Sequence, residues 1–448
     1  MSSIIKIKRG KDIQLVGSPT NEVLSVDSPT TYAIKPTDFK GLVPKMVVKQ
    51  GDEVKAGDCL FVDKGNSAIC FTSPVSGEVA EVVRGERRAI MEIRILADAE
   101  NKHKEFNTAG FQSMTNDELK SLILESGLWP TLVQRPFGVV AETDVVPKAI
   151  HISSFDTAPL AADYNFTLKG EEQNLQTGID VLAKLTTGKV HLNKHVKRDS
   201  QVFDGLQNVQ VNTFDGPHPS GLVGVQIHHI SPIDKGDVVW TINPQHLAFI
   251  GRLFNTGKLD MSQLLAIAGS EINKPAYYKT MVGATIESLV KENLNSDNVR
   301  LISGNVLTGT KVDAKGYLGY YSNVLTAIPE GDQYEFMGWL LPTYPRPTIS
   351  SSFPIFKFLK KTFTVNTNLH GEERAYVMSG QYDKVLPMDI MPVQLIKAIM
   401  ANDIDKMEKL GIYEVIEEDL ALCEFVCTSK IEVQSILSEG LELMAEEG

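Results

Sequence analysis

Residues 237–257, DVVWTINPQHLAFIGRLFNTG, place a short apolar run directly before an amphipathic segment. Asn243 is a suitable N-cap for that segment, and Pro244 suits a first helical turn because no N–H donor is needed there. Gly257 is the residue type that most often follows the last turn of a helix. The stretch therefore predicts a strand followed by a helix, which is the repeating unit of an open α/β sheet of Rossmann type.

The same alternation of strand and helix extends upstream from this stretch. Strands are predicted at AIHISS (149–154), KVHLNKHV (189–196) and VQVNT (209–213), and a helix at EEQNLQTGIDVLAKLTTG (171–188). We assign residues 98–257 to one Rossmann-like α/β domain.

The segment before this domain has a different pattern. Residues 31–97 form short runs of β-formers separated by glycine turns, and GDEV, AGD and SPVSGEV introduce strands. This repetition resembles the barrel-sandwich module of biotinyl and lipoyl carrier domains, so residues 1–97 are assigned to an N-terminal segment with that module. Lys64 lies about where such carriers present a modified lysine, but the following GNSAICF lacks the paired flanking residues of a carrier hairpin. Lys64 is therefore predicted to be a solvated turn residue.

Two further domains are predicted after residue 257. Residues 258–345 have the order strand, strand, helix, strand in LLAIAG, YYKTMVG, TIESLVKENL and VRLISG, which suits a β-grasp module of the SLBB type. A proline-rich joint, LPTYPRPTISSSFP (341–354), leads into residues 346–448, which are predicted to be mainly helical. The fold class is thus a multidomain combination of α/β and α+β.

Two helices of the last domain can be outlined. Asp389 is predicted to cap one helix, which runs through Pro392 to about Met400. The final helix has an apolar stripe that we predict to be core rather than a membrane anchor. The stripe consists of Val433, Ile436, Leu437, Leu441 and Met444.

Charge and composition exclude several classes of function. The 448 residues include 44 basic and 56 acidic side chains, and the net charge of −12 disfavours docking on nucleic acid or anionic lipid by electrostatics alone. The N-terminus lacks the roughly 7–15-residue apolar core of a secretory signal, and no run reaches the ~18 apolar residues of a spanning helix. We expect a cytoplasmic chain without a nucleic-acid partner. The four cysteines, which include Cys59 and Cys70, are too few to crosslink this chain, and no disulfide is expected.

The other two cysteines belong to the most informative motif. In EEDLALCEFVC, Cys423 and Cys427 have the x₃ spacing that ends a C-x₂-C-x₂-C-x₃-C-P run for an iron–sulfur cluster. Leu420 and Glu417 stand at the two preceding ligand positions, so the run is broken. We interpret the two cysteines as buried apolar residues and a relic of the motif, and assign them no metal. Half of a site that a second chain completes is the alternative.

Histidines offer weaker signals. His191 and His195, in HLNKH, have the spacing of a zinc helix but lack the glutamate of HExxH, so metal binding is only a minor alternative there. His228 and His229 are adjacent in an apolar run. We expect them to point to opposite sides and at least one of them to be a buried structural residue.

A glycine-containing turn, DGPHPSGLVG (215–224), separates the strand VQVNTF from the apolar run LVGVQI. Such a turn can direct backbone N–H groups at an anion, although it fits neither GxGxxG nor a P-loop. His218, Ser220 and Gly221 are the candidate ligand-binding residues, and a packing loop is the alternative. No Ser-His-Asp order or metal-ligand cluster is present, so no catalytic residue is assigned.

Characteristic stretches occur along the whole chain, namely IKIKRGKDIQLVG (5–17), FDTAPLAADYNF (155–166), FDGPHPSGLVG (214–224), LFNTGKL (253–259), RLISGNVLTGT (300–310), YLGYYSN (317–323) and ERAYVMSGQYDKVLPMDIMPVQLIKAI (373–399), followed by EEDLALCEFVC (417–427). With these stretches the sequence resembles the A subunits of the bacterial sodium-translocating NADH:quinone oxidoreductase, the Nqr complex. More distantly it is similar to the C subunit of the Rnf complex and to the NADH-binding, FMN-carrying subunit of respiratory complex I.

The resemblance implies a peripheral subunit on the cytoplasmic side of the bacterial inner membrane, in a complex that reduces ubiquinone and exports Na⁺. RPFGVVAETDVVPKAI (135–150) stands where the distant relatives have a glycine-rich GGAGFP-like turn for flavin, and two cluster ligands are lost. The resemblance therefore places NADH, FAD, FMN and iron–sulfur centres on partner subunits, which include integral membrane subunits and a flavin-bearing NADH subunit. Ubiquinone is the one ligand it allows here, and the isolated chain is not expected to be catalytic.

The sequence leaves two alternative functions open. The chain could be a soluble flavin-dependent NADH dehydrogenase, against which the missing glycine turn argues. It could also be a non-catalytic scaffold whose β modules bind partners and no small ligand.

Overall fold

The computed structural model of the chain describes residues 4–26, 28–332, 337, 345–349 and 362–447. Within these residues the strands form four sheets, of seven, six, four and three strands. The fold class predicted from the sequence, a barrel-sandwich module with α/β, SLBB-type and helical parts, is confirmed. The proline-rich joint at 341–354 lies mostly outside the described residues.

The seven-stranded sheet has the order β1-β14-β13-β12-β15-β10-β11. Strands β1, β14, β13, β12 and β15 run parallel, whereas β10 pairs antiparallel with β15 and with β11. Strand β15 and its following helix are the pair predicted from residues 237–257. The strands are β1 (Ile5–Lys6), β10 (Val133–Arg135), β11 (Val139–Val140), β12 (Ala149–Ser153), β13 (Lys189–His195), β14 (Gln210–Asp215) and β15 (Val239–Thr241).

Helices cover both faces of this sheet, and the caps predicted for one of them are confirmed. The Asn243 side chain accepts a hydrogen bond from Gln245 N at 2.9 Å, and Gly257 adopts a positive φ of 69°. The helices of the domain are α1 (Asn116–Glu125), α2 (Tyr164–Thr167), α3 (Glu172–Leu182), α4 (Val223–Ile230) and α5 (Pro244–Thr256).

The barrel-sandwich module consists of two small sheets, in the orders β3-β9-β8-β5 and β4-β6-β7. Lys64 is exposed in the bend after β6, as predicted. The strands are β3 (Thr31–Ile34), β4 (Pro44–Met46), β5 (Glu53–Val54), β6 (Cys59–Asp63), β7 (Cys70–Thr72), β8 (Gly77–Arg84) and β9 (Ile90–Ala97).

The expectation that no disulfide forms is wrong for this module. Cys59 and Cys70 are bonded to each other, with their Cα atoms 5.8 Å apart. They lie on the neighbouring strands β6 and β7, and the short connection at 64–69 brings the strands side by side. A low cysteine count says nothing about such local proximity, so composition could not indicate this bond.

The six-stranded sheet, in the order β19-β18-β20-β16-β17-β2, contains the predicted sequence of strand, strand, helix and strand. The helix is shorter than TIESLVKENL, since α6 spans only Glu287–Val290. Strand β2 comes from the N-terminal segment, which therefore joins this sheet through β2 and the seven-stranded sheet through β1. The strands are β2 (Val23–Leu24), β16 (Ser262–Ala268), β17 (Ala276–Met281), β18 (Val299–Ser303), β19 (Thr310–Val312) and β20 (Val324–Pro329).

The C-terminal part is helical, but the predicted cap at Asp389 is wrong. The helix begins with Pro392 after Met391, which makes no side-chain cap, so Asp389 is too early in the chain. Asp389 N instead donates to His228 Nε2 at 3.0 Å. The helices are α7 (Pro392–Met400), α8 (Ile404–Lys409), α9 (Ala421–Phe425) and α10 (Val433–Glu447). Among the described residues, none of the helices combines the length and apolarity needed to cross a bilayer.

Short 3₁₀ turns connect many of these elements. They are Pro36–Asp38, Glu86–Arg88, Phe111–Ser113, Trp129–Thr131, Gln201–Phe203, Tyr382–Lys384, Ile412–Glu414 and Glu417–Leu420.

Two apolar clusters lie on opposite sides of the seven-stranded sheet. One joins the barrel module and the six-stranded sheet to α3 and α5, and includes Trp129 and Trp240. The other joins α4 and the N-terminal segment to the C-terminal helices. The stripe of α10 belongs to the second cluster, where Val433, Leu437 and Leu441 are fully buried, so its prediction as core is confirmed.

The buried side chain of His246 makes the stability of the fold depend on pH. Its ring is buried against Tyr320 and Tyr321, and burial lowers its pKa to about 4, against the opposing effect of the Tyr320 backbone. In the unfolded chain the pKa of this histidine is ~6.5. Between about pH 4 and ~6.5 the unfolded chain therefore binds more protons than the folded chain, and stability falls as pH falls. We expect this group to cost about 2 kcal/mol at pH 5. Thermal unfolding of His246→Phe should therefore show a smaller loss of stability between pH 7.5 and pH 5 than the parent.

Tyr320→Phe is the matched control, because it alters the same cluster and burial moves the pKa of Tyr320 upward, away from this range. It should keep the pH dependence of the parent. Equal pH dependence of His246→Phe and the parent would contradict the assignment.

Candidate functional site

One face of the parallel sheet is polar although it is covered. Strands buried on both faces usually carry apolar residues throughout. Here Ile150, Ile152, Val190 and Leu192 alternate with polar side chains that face α4. These polar residues are His151, Ser153, His191, Asn193, Gln210 and Asn212.

The polar side chains of this face form a hydrogen-bonded network with α4. Asn212 Nδ2 donates to Asn193 Oδ1 at 2.9 Å, and Asn193 Nδ2 donates to Gln226 Oε1 at 2.8 Å. Gln226 Nε2 in turn donates to Ser153 Oγ at 2.8 Å and to Ser220 O at 3.0 Å. Asn193 and Gln226 are fully buried, so each lost bond would leave a buried polar group unpaired.

The predicted ligand loop lies at the end of this network. His218 Nδ1 is 3.0 Å from Thr157 Oγ1, and Gly221 N donates to the same oxygen at 3.0 Å. The Ser220 hydroxyl donates to Gly216 O at 3.0 Å. A Cβ at Gly221 would lie 2.6 Å from Thr157 N, so only glycine fits there. The structure thus brings His218, Ser220 and Gly221 together, buried and bonded to protein atoms, and their ligand-binding role stays a prediction.

Two stacked histidines lie at the other end of the network. The rings of His151 and His191 are parallel within 8°, with centroids 4.4 Å apart. Asn212 Nδ2 lies 3.1 Å from His191 Nδ1, which makes that nitrogen an acceptor and leaves the proton on Nε2. His151 is fully buried, and neither of its ring nitrogens has a hydrogen-bond partner among the described residues.

Both imidazoles are neutral at neutral pH. Burial lowers the pKa of His151 far below its usual range, and the positive charges of Lys148 and Arg135 lower it further. Burial also lowers the pKa of His191. A neutral imidazole both donates and accepts a hydrogen bond, so the pair suits an uncharged ligand with carbonyl or hydroxyl groups.

The remaining predicted histidines have other surroundings. His195 lies on the same strand as His191, and four residues of strand span ~13 Å, so the two do not form a helical metal pair. The expectation that His228 or His229 is buried is wrong, since His228 is only partly buried and His229 is exposed. Both residues tie α4 to the C-terminal part. His228 Nδ1 lies 2.6 Å from Glu414 Oε2, and His229 Nε2 lies 2.9 Å from Pro387 O.

A buried ion pair holds the C-terminal part against the sheet. Arg135, 1% exposed, donates from Nη1 to Asp419 Oδ2 at 2.5 Å and from Nη2 to Glu418 Oε1 at 2.6 Å. A Cβ at Gly224 would collide with both Arg135 and Asp419, so the first turn of α4 packs directly on the pair. The α4 N-terminus also favours the nearby Asp419 carboxylate. Sequence patterns did not indicate this cluster, although an EED run inside an apolar segment was its visible signal.

The residues of the broken cysteine motif do not fit an iron–sulfur cluster. Cys423 is fully buried, burial raises the pKa of its thiol, and Tyr382 OH donates to Cys427 Sγ at 3.1 Å. Leu420 is buried in the apolar core and Glu417 pairs with Lys40. Within the described ranges, no three His, Cys, Asp or Glu side chains are grouped to hold a metal ion.

Comparison with family models gives three matches. Residues 5–98 match the NqrA N-terminal barrel-sandwich hybrid domain, and residues 114–259 match the NqrA second alpha/beta domain. Residues 264–314 match a model described as the NQRA C-terminal domain, of SLBB type.

Curated relatives match over the whole length. The A subunit of the Na(+)-translocating NADH-quinone reductase of Neisseria meningitidis serogroup B is 38% identical over 99% of this chain and 100% of its own. The corresponding A subunits of Vibrio anguillarum and Yersinia pestis bv. Antiqua are 37% and 36% identical at the same coverage.

Among solved structures, the chain is similar to an NAD+-reducing [NiFe]-hydrogenase in the air-oxidized and H2-reduced states. Sequence identity is 10% and TM-scores are 0.34 and 0.37. The match covers 67% of this chain and 56% of the hydrogenase chain, and it carries no inference about chemistry.

Removal of the Arg135 charge should destabilise the protein strongly. Arg135→Met leaves Asp419 buried without a counter-charge, which should lower the free energy of unfolding by about 3–5 kcal/mol in equilibrium urea unfolding. Arg94→Met is the matched control, because Arg94 is 33% exposed in its pairs with Glu81 and Glu92 and should lose less than ~1 kcal/mol.

A second substitution tests the cause of that loss. Adding Asp419→Asn to Arg135→Met removes the unpaired charge while keeping an acceptor for Ile416 N, so part of the stability should return. A double variant no more stable than Arg135→Met would show that the charge pair is not the source.

Proposed function

Because the chain belongs to the family of A subunits of the Na(+)-translocating NADH-quinone reductase, we propose that it is a peripheral subunit on the cytoplasmic side of the bacterial inner membrane. Its partners are then the other subunits, including integral membrane subunits and a flavin-bearing NADH subunit. The complex as a whole would reduce ubiquinone with electrons from NADH and export Na⁺. The observation that supports membership is identity of 36–38% over 99% of the chain.

In this proposal the redox cofactors belong to the partner subunits. NADH, FAD, FMN and iron–sulfur centres would all lie outside this chain. The two residues that replace cluster ligands support this assignment of cofactors to the partner subunits. Leu420 packs in the apolar core, and Glu417 is paired with Lys40. Arg135 is the first residue of the segment that stands in place of the glycine-rich flavin turn. Its guanidinium forms ion pairs with Asp419 and Glu418.

The contribution of this chain to quinone reduction would come from its polar sheet face. A quinone head group offers two carbonyl acceptors, and a quinol offers two hydroxyl donors. His191 presents its Nε2–H at the edge of the network, and His151 behind it has two ring nitrogens without a partner among the described residues. His191 Nε2–H can donate to a quinone carbonyl, and the unprotonated nitrogen of His151 can accept from a quinol hydroxyl, so the pair suits both redox states. This fully buried His151 is the single observation that carries the quinone part of the proposal.

A non-catalytic scaffold is the second candidate function. The ligand loop favours it, because Thr157 Oγ1, Ser220 Oγ and Gly221 N already bond to protein atoms. In that case the polar network would serve only to fix α4 against the sheet.

Affinity purification from native membranes tests the assembly. The full chain, tagged at its C-terminus and purified in mild detergent, should bring integral membrane proteins and a flavin-bearing subunit, identified by mass spectrometry. Recovery of the chain alone, yellow with bound flavin, would instead favour a soluble dehydrogenase and contradict the proposal.

His191→Phe in the assembled complex tests the quinone contact. Loss of one hydrogen bond should raise the KM for ubiquinone roughly tenfold, while NADH oxidation by an artificial acceptor stays unchanged. His195→Phe, on the same strand and packed against Phe155, is the matched control and should leave both values unchanged. An unaltered ubiquinone KM in His191→Phe would favour the scaffold.

A further inference from the structure

Two basic side chains of the C-terminal part converge on one small space. The Cβ position of Gly371 lies 3.5 Å from Arg374 Nη2 and 4.0 Å from Lys430 Cε. Burial lowers the pKa of Lys430, and the charge of Arg374 lowers it further. The two cations therefore share one region of the surface.

Arg374 and Lys430 have no counter-ion among the described residues. Lys430 is the one basic residue from Glu414 to the C-terminus, where ten residues are acidic, yet it lies beside Arg374. Glu372 and Glu373 are exposed neighbours in sequence and do not pair with it. Like charges held together in this way favour a bound anion.

The backbone holds the two cations in place. Arg374 N donates to Ser429 O at 2.8 Å, and the Ser429 hydroxyl donates to Ala375 O at 3.1 Å. Val377 N donates back to that hydroxyl oxygen at 3.4 Å. Lys430, directly after this clamp, has a φ of 60°, which L residues rarely adopt. These hydrogen bonds therefore hold the backbone at Arg374 close to the backbone that carries Lys430.

Exposed apolar residues flank the cations. Leu369 is 53% exposed, Val377 55% and Met378 66%. Met378 contacts Gln394 in the first turn of α7, next to Met391, which is 60% exposed. Several large apolar side chains grouped at a surface mark an interaction site more often than a free surface.

We propose that Arg374 and Lys430 bind a phosphate group, and that this phosphate belongs to an anionic phospholipid. The guanidinium fork and the ammonium group are the donors that phosphate oxygens prefer, and the flanking apolar residues would contact the adjoining glycerol and acyl region. The choice of a lipid over free phosphate rests on the proposed function, which places the chain at a membrane. The net charge of −12 would repel the protein as a whole from an anionic surface, so any attraction to an anionic lipid has to come from a local basic site of this kind.

Vesicle co-sedimentation of the full chain tests the site. The parent should bind vesicles of phosphatidylcholine with phosphatidylglycerol and not vesicles of phosphatidylcholine alone. The double variant Arg374→Gln with Lys430→Gln should lower the partition coefficient about tenfold or more. Arg87→Gln with Lys64→Gln removes the same two charges from the exposed surface of the barrel module and should have no effect.

Three results would overturn the proposal. These are no binding to anionic vesicles, equal losses in the two double variants, or calorimetric binding of inorganic phosphate that depends on Arg374 and Lys430 without any vesicle binding. The last result would assign the site to a soluble phosphate. Affinity purification of the Arg374→Gln and Lys430→Gln double variant distinguishes failure of the lipid site from failure of the proposed assembly. Partners that still co-purify with this variant would leave the proposed function intact.

Discussion

The pairing of Arg135 with Asp419 and Glu418 is the interaction on which the arrangement of the domains depends. Arg135 belongs to the α/β sheet and the two carboxylates to the C-terminal part, more than 280 residues later in the chain. Burying these charges is costly unless they are paired, so any packing of the two parts that separates Arg135 from Asp419 is disfavoured. Lys40 of the barrel module reaches Glu417 in the same turn, so one acidic run connects three parts of the molecule.

This junction also explains why α4 can lie where it does. Gly224 has no side chain to separate the helix from the ion pair, and the first turn of α4 therefore lies directly on Arg135 and Asp419. From that position Gln226 reaches Asn193 and Ser153, and its carboxamide closes the polar network over the sheet. His228, further along α4, contacts Glu414 and the Asp389 amide. The buried ion pair, the polar sheet face and the docking of the C-terminal helices are thus parts of one packing arrangement.

The sequence revealed those parts of the site whose residues are close together in the chain. It did not reveal the contacts between residues that are far apart in the chain. His218, Ser220 and Gly221 are close in sequence, so the turn that contains them could be recognised directly, but Thr157, which binds His218 and Gly221, could not. The polar network does have a signal in the sequence, since His151, His191 and Asn212 occupy alternate positions in strands that should be apolar on both faces. The Cys59–Cys70 bond had no such signal, because cysteine count does not report strand pairing.

By itself the sequence determined the elements and their types. Asn243, Pro244 and Gly257 bound α5, the alternation around residues 149–213 specifies parallel strands, and glycine turns divide residues 31–97 into a β module. These signals are local, because caps, turns and periodicity depend on neighbours within a few residues. Only the tertiary structure decided that Arg135 meets Asp419, that His151 stacks on His191, and that Arg374 lies beside Lys430. Such contacts join residues that are remote in the chain, and no local pattern specifies which charged or polar side chain will be the partner once the domains pack.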